Sequence, residues 1–209
     1  ERSSRTSGFL ASLIQEYFHP TEFCVSTGGE DVAEQFAALP FAHLFFTGSE
    51  KIGKKVMRAA SENLTPVTLE LGGKTPAIVD ASANIKDAAE AIIYGKLLNS
   101  GQTCIAPDYV LVEANQQEAL IKELQIAAQA QFSNPEELTG PIDESQLQNW
   151  QHLLSDAIDR GAKPVSLLQN PGAGARRFEP VLLINTPAEA RVLHEEIFGP
   201  ILPIVVIQD

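Results

Sequence analysis

The sequence predicts an α/β protein with parallel-type sheets covered by helices, and three observations carry that expectation. Helical and strand patterns alternate along nearly the whole of the 209 residues. Several strand patterns are short, apolar and rich in β-branched residues, as in the run Ile201-Leu202-Pro203-Ile204-Val205-Val206-Ile207. Glycine turns punctuate the passage from strand to helix, as at Thr47-Gly48-Ser49. With 44% hydrophobic and 20% charged residues, the chain has room for one large domain or two lobes.

The elements follow in order. Phe9, Leu10, Leu13, Ile14 and Tyr17 recur at helical spacing and predict an amphipathic helix that stops near Pro20. Residues 22–26 read as a short strand, with Cys24 a core residue inside Phe23-Cys24-Val25. Gly28-Gly29 turns the chain into a helix over 31–38. A buried strand over 43–46 leads through the glycine turn into a basic helix over 50–61. Strands follow over 67–71 and 75–79. The polar turn 80–84 caps a helix over 85–98. A strand over 109–113 precedes helices over 116–132 and 144–160, the second closed by Gly161. Strands over 165–168 and 181–184 flank a loop, Asn170-Pro171-Gly172-Ala173-Gly174, and a strand over 201–207 completes the order. No internal repeat or low-complexity segment stands out.

Composition narrows the function classes. The formal net charge is −12. Such a surface repels polyphosphate and argues against a nucleic-acid partner, although solubility alone explains the acidity. Two cysteines make no disulfide framework and fit a reducing, cytoplasmic setting. No apolar run reaches the roughly 18 residues needed to span a bilayer, and no basic-plus-apolar leader opens the chain. The start, Glu1-Arg2-Ser3-Ser4-Arg5-Thr6, reads as chain interior. His19, His43, His152 and His194 lack metal-ligand spacing, so no metal site is expected.

Four segments carry chemistry. In Asn99-Ser100-Gly101-Gln102-Thr103-Cys104, a thiol follows a turn at the end of a helical pattern. A free cysteine is usually a small buried apolar residue, but a thiol on a turn with N–H donors nearby suits a nucleophile. In Leu69-Glu70-Leu71-Gly72-Gly73-Lys74, a carboxylate ends a strand. It is either a solvated strand end or a general base beside backbone that a ligand can approach. In Phe46-Thr47-Gly48-Ser49-Glu50-Lys51-Ile52-Gly53-Lys54, a strand turns into a helix whose N-terminal N–H groups can hold phosphate. Gly53 there allows close helix packing. The spacing nearly completes a P-loop, but Lys55 stands where that motif needs Ser or Thr for magnesium. In Glu195-Glu196-Ile197-Phe198-Gly199-Pro200, adjacent acids precede an aromatic residue and a rigid turn. They are either solvated acids or a carboxylate that accepts sugar hydroxyls beside an aromatic wall.

In order and spacing, these four segments resemble the aldehyde dehydrogenase superfamily. The run from Asn99 to Tyr109 is most similar to its class 3, fatty-aldehyde and coniferyl-aldehyde branch. Arg176-Arg177-Phe178-Glu179-Pro180 and Gly199-Pro200-Ile201-Leu202-Pro203 lean toward coniferyl aldehyde dehydrogenase. The resemblance implies Cys104 as nucleophile and Glu70 as general base. It implies Gly48, Ser49, Gly53 and Leu71 as cofactor-binding residues, with Glu196 on the nicotinamide ribose and Phe198 beside the nicotinamide. Glu1 matches a residue on the adenosine ribose.

It further implies oxidation of an aromatic or long-chain aldehyde with NAD or NADP through a cysteine thioester. The fold implied is the catalytic domain of aldehyde dehydrogenases plus the second half of their dinucleotide-binding domain. Residues 1–70 would be the C-terminal part of the NAD(P)-binding domain, and 71–209 the thiol-bearing catalytic domain, truncated at its C-terminal end. The family chain is about twice as long, and its oxyanion asparagine has no counterpart here. The expectation is therefore a fragment, inactive alone, of a protein that forms homodimers. Three other readings are a P-loop-like nucleotide-binding protein, a non-catalytic scaffold of the same fold, and a CoA-acylating relative. Glu70 favours water over CoA as the acyl acceptor.

Overall fold

Helix and strand alternate as the sequence predicts, in a computed structural model that describes residues 3–132, 138–168 and 178–207. The 170–174 loop, the Arg176-Arg177 pair and the Glu1 match lie outside the described residues. The chain divides between Gly72 and Gly73 into two units, so Glu70 and Leu71 fall in the first.

The first unit holds helices α1 (Ser4–Tyr17) and α2 (Glu30–Ala37), strand β1 (Leu44–Gly48), helix α3 (Glu50–Ser61) and strand β2 (Val67–Leu71). β1 and β2 pair in parallel, with Thr47 opposite Glu70 and Gly48 opposite Leu71. Three sequence expectations change here. The strand expected to be buried over 43–46 buries Leu44 but leaves Phe45 exposed, because its side chains alternate between two faces. Residues 22–26 form no strand, because a turn at His19 takes the N–H groups of Glu22 and Phe23 at 2.9 and 3.1 Å. Cys24 is exposed rather than core.

The second unit holds β3 (Pro76–Val79), α4 (Ile85–Leu97), β4 (Tyr109–Glu113), α5 (Gln117–Gln131) and α6 (Glu144–Asp159). Strands β5 (Lys163–Ser166), β6 (Val181–Ile184) and β7 (Ile201–Ile207) complete it. The sheet order is β3-β4-β7-β6-β5, parallel throughout except for β5, which runs antiparallel on the edge.

Alternation along each strand sends side chains to opposite faces. Leu182 and Leu202 join Val110, Val112, Ile93, Leu97, Leu120 and Leu124 on the face covered by α4 and α5. Val181, Leu183 and Ile201 join Trp150, Leu153 and Ile197 on the face covered by α6. Burial on both faces explains why β7 reads as an unbroken apolar run. Helix starts follow local chemistry. Asn84 Oδ1 accepts the Lys86 and Asp87 N–H groups at 3.1 and 3.4 Å, and Asp143 Oδ1 accepts that of Gln146 at 2.8 Å. Among the described residues no helix is long and apolar enough to cross a membrane.

Candidate active site

In the first unit, the strand-to-helix turn gathers four of the residues singled out above. Gly48 ends β1 in register with Leu71, and Ser49 is the N-cap of α3. The Ser49 hydroxyl and carbonyl take the N–H of Ile52 at 3.4 and 3.0 Å, and the carbonyl takes that of Gly53 at 2.8 Å. The first-turn N–H groups of Glu50 and Lys51 therefore remain for an anion. A β-carbon on Gly53 would stand 2.9 Å from Leu71 Cδ2, so α3 packs on β2 through the bare backbone. Lys54 pairs with Glu50 of its own helix, and Lys55 faces Glu30 and Glu34 of α2 at 3.4 and 3.7 Å. Glu70 is exposed near the end of β2.

In the second unit, α4 ends in a turn of opposite hand. Asn99, Ser100 and Gly101 have φ of 51°, 53° and 73°. The first two are costly for residues with a β-carbon, and side chains hold them there. Asn99 Nδ2 donates to the Gln102 carbonyl at 3.1 Å, and Gln102 Nε2 returns a bond to the Asn99 carbonyl at 3.2 Å. The Gln102 amide also donates to the Gly140 carbonyl at 3.0 Å and accepts the Ile142 N–H at 2.8 Å. Ser100 Oγ donates to the Thr139 carbonyl.

The chain then reaches Cys104, which is exposed, in a turn closed by the Ala106 N–H on the Thr103 carbonyl at 3.1 Å. Among the described residues, the N–H groups of Cys104 and Ile105 have no protein acceptor. Two backbone donors thus flank the thiol.

The Glu196 turn meets the Cys104 turn directly. A β-carbon on Gly101 would collide with the Gly199 carbonyl, and one on Gly199 would collide with the Trp150 indole. Phe198, at φ 45°, presents its carbonyl to two donors, Trp150 Nε1 at 3.1 Å and Gln146 Nε2 at 3.0 Å. The two adjacent acids differ. Glu195 is exposed and gripped by the Arg191 fork at 2.7 and 2.9 Å, which lowers its carboxyl pKa. Glu196 is half-buried, and burial raises its carboxyl pKa, partly offset by the Gly73 N–H it accepts and by Lys74. Only Glu196 has the inward, poorly solvated setting of a ligand-binding carboxylate.

Below both turns lies a charge cluster. The Asp108 carboxylate, 5% exposed, pairs with Lys74, stands 3.8 Å from the fully buried Lys96 Nζ, and accepts the Ile197 N–H at 3.2 and 3.3 Å. Burial drives the Lys96 pKa down to about 7, against the pull of Asp108. No cluster of three or more His, Cys, Asp or Glu suited to a metal occurs among the described residues.

Comparison with known proteins accounts for this arrangement. The aldehyde dehydrogenase family matches residues 1–209, the whole chain. The chain belongs to the aldehyde dehydrogenase family. It is 45% identical to a probable coniferyl aldehyde dehydrogenase of Pseudomonas aeruginosa, over 98% of this chain and 43% of that protein. It superposes on a substrate-bound Staphylococcus aureus AldH with a TM-score of 0.90 and 38% identity, covering 100% of this chain and 46% of the other. It also matches Pseudomonas syringae aldehyde dehydrogenase C, in complex with NAD+ and octanal. There the TM-score is 0.76 and the identity 26%, over 89% of this chain and 40% of the other. The chain thus spans less than half the length of these aldehyde dehydrogenases.

The sequence singled out the two turns of this aldehyde dehydrogenase chain but not what joins them. Asp108 and Lys96 carried no expectation, and Lys74 was only part of a motif. One signal was available: Lys96 is a lone cation on the helical face that holds Ala89, Ile92, Ile93 and Leu97. A lysine there needs a buried partner.

Proposed function

We propose that the full gene product containing this chain oxidises aldehydes to carboxylic acids with NAD or NADP, through a thioester on Cys104. The observation that carries this reading is the exposed Cys104 thiol between two free N–H donors, in contact through Gly101 and Gly199 with the turn that bears Glu196. Residues 1–70 would serve as the C-terminal part of the cofactor-binding domain and 71–209 as the thiol-bearing catalytic domain. The full-length relatives are more than twice as long, so turnover is expected from the full gene product, acting as a homodimer, and not from these residues alone.

The residues present fit a dinucleotide. The open first turn of α3 at Gly48-Ser49 suits a phosphate, with Gly53 and Leu71 packing that helix on its strand. Glu196 suits ribose hydroxyls, and Phe198 suits a flat ring. When bound, the dinucleotide supplies the hydride acceptor. The Cys104 thiolate attacks the aldehyde carbonyl carbon and forms a tetrahedral adduct, whose oxyanion the Cys104 and Ile105 N–H groups stabilise. Loss of hydride leaves a thioester on Cys104. Glu70 then takes a proton from water, which attacks the thioester and releases the acid and the Cys104 thiolate.

Among aldehydes, aromatic substrates of the coniferyl type are proposed, supported by the relatedness to coniferyl aldehyde dehydrogenases. The test is NADH or NADPH production by the full gene product with coniferyl aldehyde and with long-chain aliphatic aldehydes. Aldehyde-dependent reduction that disappears in Cys104→Ala is expected. Its absence with every aldehyde and both cofactors rejects the reading.

A further inference from the structure

Three separate stretches of chain converge on one carboxylate. The Asp108 backbone N–H donates to the Thr75 carbonyl at 2.8 Å, and its side chain pairs with Lys74 of the same stretch. Asp108 itself closes the loop that carries Cys104. Its two oxygens share the Ile197 N–H, in the middle of the turn that carries Glu196 and Phe198.

We propose that Asp108 is a positioning residue, which uses its charge to hold the Glu196–Phe198 turn in register with the Cys104 turn. The proposal rests on the reading of Glu196 as the cofactor-facing carboxylate. Geometry and charge both support it. The Ile197 side chain is fully buried against the Trp150 cluster, so the turn can pivot only through its backbone, and that backbone is pinned at the Ile197 N–H.

Lys96 explains why a carboxylate stands here rather than a neutral acceptor. It is fully buried, 3.8 Å from Asp108, and its Nζ makes no hydrogen bond among the described residues. It therefore acts on Asp108 through charge alone. Lys74, joined by Lys96 when it is protonated, compensates the carboxylate, and its oxygens remain available to the Ile197 N–H. An amide would accept the same N–H but leave Lys74 and Lys96 facing each other without a counter-charge.

The chain's single tryptophan reports on this directly, because Trp150 Nε1 donates to the Phe198 carbonyl of the pinned turn at 3.1 Å. In Asp108→Asn, the indole N–H resonance is expected to shift and its exchange with solvent to quicken about tenfold, with the far-ultraviolet circular dichroism unchanged. In the full gene product, the same variant is expected to raise the dinucleotide KM on the order of tenfold, more than it lowers kcat. An unmoved indole resonance in folded Asp108→Asn overturns the proposal, and so does a moved resonance with unchanged KM. Should Asp108→Asn not fold, the unsubstituted chain decides: its Ile197 amide must exchange about 10²-fold more slowly than those of Glu196 and Phe198, and comparable rates overturn the proposal. A full gene product that binds no dinucleotide at all rejects the Glu196 reading instead, and the indole and amide measurements tell the two failures apart.

Discussion

The α-carbon of Gly101 lies against the carbonyl of Gly199, where no side chain fits between them. That contact brings the backbone just before Cys104 against the turn that bears Glu196 and Phe198, two segments nearly a hundred residues apart in sequence. Gly101 also carries a φ of 73°, which disfavours any residue with a β-carbon.

Gly101→Ala is therefore expected to lower stability by about 1–3 kcal/mol, through backbone strain and the collision with Gly199. Urea unfolding checks this. An unchanged midpoint would mean that the two turns separate without cost.

The thiols make a second prediction. Cys24 and Cys104 are both exposed, so access alone would let iodoacetamide label them at similar rates. With the Cys104 and Ile105 N–H groups beside its sulfur, Cys104 is expected to be alkylated faster than Cys24 near neutral pH. Peptide mass mapping over time resolves the two sites, with Cys24 as the internal reference.

Removing the proposed base, Glu70, should separate the two halves of the proposed reaction. Glu70→Gln in the full gene product is expected to slow thioester hydrolysis by about 10²–10⁴ while leaving acylation largely intact. Stopped-flow absorbance would then show a burst of reduced cofactor, followed by slow turnover. Loss of the burst itself would assign Glu70 another part.

Lys96 predicts a pH dependence of stability. Its folded pKa, about 7, lies below the ordinary lysine value of 10.5, so between these values the unfolded chain binds more protons than the folded one. The contribution of Lys96 therefore opposes folding most at and below pH 7, and this opposition is relieved as pH rises toward 10.5. The slope approaches about 1.4 kcal/mol per pH unit inside that window. Urea midpoints at pH 7 and 9 test it: the unsubstituted chain gains stability over Lys96→Met across that interval. Parallel changes in the two proteins would assign the effect elsewhere.

Much of this was legible along the chain because it depends on local chemistry. The start of α4 at Asn84, the strand-to-helix turn at Gly48-Ser49 and the apolar run of β7 follow from capping, glycine turns and burial on both faces. The strand expected over residues 22–26 failed for the converse reason. Its residues have strand character, but the turn at His19 takes the N–H groups of Glu22 and Phe23. Cys24, expected in the core, is solvent-exposed.

By itself, the sequence determined the order of helices and strands, the presence of a turn before Cys104 at Gly101, and the presence of carboxylates at positions 70 and 196. Only the tertiary structure decided which acid of the Glu195-Glu196 pair faces inward, that Gly199 lies against Gly101, and that Lys74, Lys96 and Ile197 share Asp108. The physical reason is range. Dihedral preference and capping act within a few residues, and a linear pattern records them. A buried charge is tolerable only if its partner arrives from elsewhere in the fold, and nothing beside Lys96 in the sequence names Asp108 as that partner.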